Sequence, residues 1–331
     1  MKPILLTLED GAVFEGHSVN EALECGGLLS FYTGVVGYQE VITDPANLGK
    51  IVLFTYPLIG NYGVNAQDAE SASPKVAGIV CKEYPPYLSS FRAEASLKDY
   101  VGGGVVFGQG FDTRAILVHL REHGEMMAVT SAEKLSREAL RERLALIKLP
   151  DYQPENTPVA CARAKALARA AVIDLGASRS FYKRLAALGI DATCPPEKSD
   201  LVIVSDAPYH AVEDQSKIDL VQAQLGKKPV IGFGHGCAIA AKACGAKVER
   251  LPFGDHGVNV PISYAGGGRN EITVQNHNYV VVPGGEIKSI FANLHDGTCE
   301  GFACKAAKVA GANFLPSEAW LRTILSEVGV A

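Results

Sequence analysis

The stretch Pro229-Val-Ile-Gly-Phe-Gly-His-Gly-Cys-Ala-Ile-Ala-Ala-Lys-Ala-Cys-Gly245 constrains the fold more than any other part of the chain. Val230 and Ile231 read as a short buried strand. Gly232, Gly234 and Gly236 form a glycine-dense turn, and the small residues up to Gly245 predict a helix. A strand that turns this sharply into a helix has the geometry of a nucleophile elbow. There a reactive side chain sits on a strained turn above a helix N-terminus. The tip of this elbow falls at Gly234, which has no side chain. The pattern predicts the frame of a hydrolytic site without its nucleophile.

The 331 residues are about twice a typical domain, so two domains are expected. A net charge of −5 argues against a nucleic-acid or anionic-membrane surface. No window holds the ~18 apolar residues of a membrane span. The run Met1–Asp10 is too short and too soon acidic for a signal peptide, and a cytoplasmic setting is expected. The eight cysteines are scattered, which predicts reduced thiols rather than a disulfide scaffold. Cys299 and Cys304 have no second pair at similar spacing, so no structural zinc site, and no other metal or cofactor, is expected.

Ile4, Leu6 and Leu8 alternate before Glu9-Asp10-Gly11 and Val13-Phe14, predicting a β-hairpin. Short blocks of glycine, proline and aromatics between 26 and 65 predict a β-rich, loop-rich domain with a strand at Ile51–Tyr56. Helices are expected around 86–101, over Arg114–Gly124 with Ile116, Leu117 and Leu120 inward, and over 131–147 opened by Ser131. Three prolines in 149–160 mark a linker. The expected division is a first domain over 1–148, a link over 149–170 and a second domain over 171–331. After 170, strands at Ala171–Leu175, Leu201–Val204 and Val230–Ile231 alternate with helices at 179–188 and 215–225, as in a parallel α/β sheet. Further strands are expected at Ile272–Val274, Tyr279–Val282 and Ser289–Phe291, with a closing helix at 317–328.

With these motifs in place, the first domain resembles the N-terminal domain of the carbamoyl-phosphate synthetase small subunit. The matches run in order through Leu8-Glu-Asp-Gly11, Gly37-Tyr-Gln-Glu40, Thr43-Asp-Pro45, Thr55-Tyr-Pro57, Ile59-Gly-Asn61, Ser90-Phe-Arg92 and Asp112-Thr-Arg114. The second domain resembles that subunit's class I glutamine amidotransferase domain, a flavodoxin-like parallel α/β fold. It carries Asp174-Leu-Gly-Ala177, the elbow, Phe253-Gly254 with His256-Gly257 and Asn259, Gln275-Asn-His277, and Asp296-Gly-Thr298. The resemblance implies cysteine, histidine and glutamate as the machinery that hydrolyses glutamine, with ammonia passing to a large synthetase subunit.

Carried over position by position, all three roles are missing. Gly234 stands at the nucleophile, Leu315 at the general base and Ser317 at its orienting acid. The family's S-N-G-P-G segment, part of its oxyanion hole, becomes Ser205-Asp-Ala-Pro-Tyr209. Gly34, Ala207, Tyr209, Gly232, His235, Gly236, Ala238, Asn276, Asn278 and Tyr279 together describe a remodelled pocket with little affinity for glutamine. The resemblance therefore implies a glutaminase-inactive homologue that acts as structural or regulatory partner of a large subunit, which would make carbamoyl phosphate from free ammonia.

Two alternatives stand beside it. Cys237, near the helix N-terminus, is a relocated nucleophile in one; the remodelled pocket holds another small ligand in the other. The matching histidine His277 reads as a hydrogen-bonded structural residue, and His235 as a filler of the emptied pocket. Asp255-His256 and Asn259 read as holding a loop, Gly102–Gly104 and Gly266–Gly268 as flexible turns, and the charged face Arg137–Arg143 as solvated surface.

Overall fold

The computed structural model describes residues 2–330 apart from 86, 162 and 164. The chain divides into two compact units, Met1–Asp151 and Tyr152–Ala331.

In the first unit, β1 (Pro3–Leu8) and β2 (Val13–Ser18) form the expected hairpin, with Thr7 opposite Val13. β3 (Cys25–Tyr32), β4 (Ile51–Phe54), β5 (Gly78–Val80), β6 (Val106–Gln109) and β7 (Met127–Ser131) complete a closed barrel in the order β1-β2-β6-β5-β4-β3-β7. β7 pairs with β1 and β3, so the barrel has no free edge. The helices are α1 (Tyr38–Thr43), α2 (Leu97–Val101), α3 (Thr113–His123) and α4 (Arg137–Ala145). Ile42, Val52, Phe54, Ile79, Leu97 and Phe107 belong to its buried core.

Two helix expectations are corrected here. The stretch 86–101 is helical only over Leu97–Val101, where the Ser96 hydroxyl caps the Asp99 amide at 3.1 Å; residue 86 itself lies outside the described residues. Upstream, the stretch is tied to a neighbouring loop, with the Ser89 amide donating to the Asn61 carbonyl and Arg92 pairing with Asp68, and it turns locally at Ser90, whose hydroxyl and carbonyl accept the Arg92 and Ala93 amides. Ser131 closes β7 rather than opening a helix, and Ser136 caps α4.

The second unit is a nine-stranded sheet in the order β13-β12-β14-β15-β16-β11-β10-β8-β9. Its strands are β8 (Ala168–Ile173), β9 (Ile190–Asp191), β10 (Leu201–Val204), β11 (Val230–Phe233), β12 (Lys247–Tyr264), β13 (Glu271–Val282), β14 (Lys288–Asn293), β15 (Cys299–Cys304) and β16 (Val309–Ala312). From β16 to β9 every pairing is parallel; from β16 through β15 to β13 every pairing is antiparallel. The parallel half is the α/β alternation read from the sequence, and the antiparallel half is an addition to it. β8 starts before the expected strand, inside the stretch read as a link, with the Arg169 amide and guanidinium both bonded to Asp200.

The helices are α5 (Arg179–Ala187), α6 (Gln215–Gln222), α7 (His235–Ala243) and α8 (Glu318–Glu327). Phe181, Phe233, Phe291, Phe314 and Trp320 lie in one buried cluster of this unit. No described helix is long and apolar enough to cross a membrane.

The region Phe253–Asn259 is a strand, not a loop. It runs within β12 and pairs with β13 through two register shifts, between Arg250 and Asp255 and between Gly257 and Val260. Bulges of this kind bend a strand and re-aim its side chains. Here they leave Asp255 opposite His277 and His256 opposite Asn276.

Candidate functional site

β11 turns into α7 at Gly234, whose φ of 57° and ψ of −134° lie where L-residues are strained. The elbow conformation is therefore present in full. Gly236 has the second indispensable lack of a side chain, since a Cβ there would lie 2.0 Å from the Ser205 carbonyl. This absence lets the first turn of α7 touch the end of β10. Gly232 is filled in the same way, with Gly236 and Cys237 backbone against the position a Cβ would take. Gly232 and Gly236 thus allow backbone to pack closely on backbone.

Past β10, Asp206 folds back over the elbow. Its Oδ1 accepts the Ala207 amide at 2.7 Å and the His235 amide at 2.8 Å. A Cβ built on Gly234 would fall 2.3–2.5 Å from the three atoms of the Asp206 carboxyl group. The carboxylate occupies the space where a side chain at the tip would begin.

His235 is buried, and its two ring nitrogens are engaged. Nδ1 donates to the Ala207 carbonyl at 2.7 Å, and Nε2 accepts the Asn278 amide at 3.2 Å. The neutral Nδ1–H tautomer satisfies both bonds, so the ring is fixed as a connector between the β10 loop and β13. Tyr279 packs edge-on against it, with ring centroids 6.1 Å apart. Through these contacts the imidazole ties two elements together.

Next to it, His256 Nδ1 lies 2.8 Å from Asn276 Oδ1, and Asn278 Nδ2 lies 3.4 Å from His256 Nε2. Tyr209 is almost wholly buried in the short turn after Pro208, and burial pushes its phenol up to about 12. Ala207 and Ala238 are buried as well. Gly34 lies in the first unit, where a Cβ would meet the Tyr32 ring.

The other two positions of the expected machinery have taken structural roles. Leu315 packs against the apolar cluster that includes Phe314 and Trp320. Ser317 is the N-cap of α8: its hydroxyl accepts the Trp320 amide at 3.3 Å and donates to Glu271 at 2.7 Å. Cys237 is fully buried, with burial first and then the neighbouring Cys299, Glu300 and Cys244 pushing its thiol well above the usual range. A Cβ on Gly311 would lie 2.8 Å from its sulfur, so the thiol points into the sheet.

Deeper in the unit lies a polar network that the sequence reading did not find as a whole. His277 Nε2 is 3.0 Å from Glu300 Oε2, and both residues are fully buried. Asn293 donates to Glu300 Oε1 and Asn313 to Glu300 Oε2, each at 3.0 Å, while Asn293 also reaches Asp255 at 3.3 Å. Burial alone would lower the His277 pKa; the Glu300 carboxylate outweighs it and raises it. Burial alone would raise the Glu300 pKa; His277 and the two amides outweigh it and lower it. Burial raises the pKa of Asp255 despite His277.

Asp255, His277 and Glu300 bring one donor atom each to within 4.8 Å of one another, a spacing that could also receive a cation. The Asn293 and Asn313 amides direct N–H groups at the carboxylates, which is the polarity that stabilises negative charge in place. The histidine signal was in the sequence; the glutamate, twenty-odd residues away on another strand, carried none.

The comparisons agree with this geometry. Residues 171–317 match the family model of class-I glutamine amidotransferases, the class to which the elbow and its parallel sheet correspond. Residues 6–130 match the model described as the carbamoyl-phosphate synthase small chain, CPSase domain. The chain belongs to the family of carbamoyl phosphate synthase small chains. It is 33% identical over 324 residues to the carbamoyl phosphate synthase small chain of Clostridium perfringens, covering 94% of this chain and 93% of that one. It is 35% identical over 349 aligned positions to the protein of the same name from Aquifex aeolicus, covering 95% and 94% of the two chains.

Proposed function

We propose that this chain is a carbamoyl-phosphate synthetase small subunit without glutaminase activity, acting as structural or regulatory partner of a large subunit in the cytoplasm. The carrying observation is that the three positions hold no thiol, imidazole or carboxylate. The elbow tip is Gly234, Leu315 packs among apolar side chains, and Ser317 caps a helix and bonds Glu271. A glycine and a leucine can neither attack an amide carbon nor accept its proton. In this reading the large subunit makes carbamoyl phosphate from free ammonia, and this chain contributes binding surface only.

The alternative through Cys237 has no support from the geometry. A thiolate is the nucleophile, and burial holds this sulfur protonated and turned away from the elbow tip. The alternative in which the pocket holds another small ligand has no observation favouring it, since His235 is already engaged at both nitrogens.

The test is a glutamate-release assay on the purified chain, alone and with a co-expressed large subunit. The expected result is co-purification, carbamoyl phosphate formation from ammonium salts, and no glutamate above the blank. Glutamine turnover at a rate abolished by Cys237→Ala would restore the enzymatic alternative, and failure to associate with any large subunit would remove the partner role.

A further inference from the structure

We propose that Asp206 is a built-in anion that fills the elbow's oxyanion-binding nest and closes it from within. In elbow-type sites, the oxyanion is held by the amide of the residue after the nucleophile and by a second amide from a neighbouring strand's loop. Here those two donors are His235, directly after Gly234, and Ala207, in the loop after β10. Both donate to one oxygen, Asp206 Oδ1, at 2.8 and 2.7 Å. A single negative oxygen receiving two convergent amides is the arrangement such a nest presents to a tetrahedral intermediate.

The carboxyl group reaches this point only because residue 234 lacks a Cβ. Any side chain there would begin 2.3–2.5 Å from its atoms. Positions 206 and 234 are therefore coupled: a side chain at 234 forces the carboxylate outward, toward solvent that Asp206 already partly meets, and away from both amides. The N-terminus of α7 adds its favourable field to the same charge. This inference rests on the reading that the site performs no glutamine hydrolysis, and it adds what took the place of that chemistry.

The coupling is measurable without any activity. Thermal unfolding of the whole chain is followed for Asp206→Gly, Gly234→Ala and the double variant. Gly234→Ala should lower Tm by several degrees more in the Asp206 background than in the Asp206→Gly background, roughly 3 °C for a chain of this size. Equal shifts in the two backgrounds would overturn the proposal.

A second measurement covers the case in which Gly234→Ala does not fold. Sodium formate, a free carboxylate small enough for the emptied nest, should raise the Tm of Asp206→Gly relative to equal sodium chloride and leave the unsubstituted chain unchanged. No difference between the salts in Asp206→Gly, or the same rise in both proteins, would overturn it. Glutamine turnover by the unsubstituted chain would overturn the functional reading and leave these thermal results in place. Absence of coupling and of formate rescue would do the reverse.

Discussion

Two carboxylates in the second unit are held by donors of different kinds. Asp206 sits at a partly exposed turn and is held by backbone amides that exist whatever side chains surround them. Glu300 sits in the fully buried interior and is held by side chains, His277, Asn293 and Asn313, each of which is itself buried. A nest of backbone amides is indifferent to which anion fills it. A network of side chains fails when any one member is removed. The difference sets a tip without a side chain beside an ionic interior in the same unit.

The largest effect expected from this contrast is at the interior pair. Glu300→Ala leaves the buried His277 ring and two amides without their partner, and should cost on the order of 3–5 kcal/mol of stability in urea unfolding. Asp206→Ala, which exposes its two amides to nearby water, should cost less, roughly 1–3 kcal/mol. Similar losses at the two sites would erase the distinction between them.

A pH titration sharpens the same comparison. Because the His277 pKa is raised in the fold, its contribution is complete below the usual histidine pKa and is lost as pH rises through the folded value. Because the Glu300 pKa is lowered, its contribution is present above the usual carboxylate range and is lost as pH falls through the folded value. Asp255, which faces both, has a raised pKa, and its ionisation on the acid side subtracts from stability. Stability should therefore be greatest between about pH 5 and pH 7 and decline on the alkaline side as His277 loses its proton. His277→Gln should flatten that alkaline decline, which denaturant midpoints at a series of pH values would record.

The smallest effect is expected at Ser317. Ser317→Ala removes a helix cap and the bond to Glu271, for about 1 kcal/mol, whereas Ser317→Asp should retain most of the cap. A loss as large as that of Glu300→Ala would mean that this position still belongs to a polar network rather than to a helix end.

The parts of this molecule legible in the sequence are those specified by neighbours in the chain. Leu201–Val204 and Val230–Phe233 are short runs dominated by apolar side chains, and both are buried parallel strands. The elbow announced itself through three glycines within five residues, two of which meet backbone carbonyls where a Cβ would be. What was not legible depends on distant partners. β12 contains Pro252, Gly254, Gly257 and Pro261, all turn-forming residues, and stays extended because β13 pairs along it on both sides of two bulges. β7 is a five-residue segment with no local punctuation, made a strand by β1 and β3 together. The replacement of an amide-bearing residue by Asp206 was visible, but the destination of its charge follows only from the empty space at Gly234.

That empty space gives the site a direction in time. The strained turn is retained by a residue that tolerates it, so the backbone stands ready for a thiol at any moment. Yet a cysteine arriving first would meet an aspartate already seated and displace a negative charge beside its own sulfur. Building a side-chain nucleophile into this elbow has to proceed in order, with the occupant at 206 leaving before a newcomer at 234 can serve.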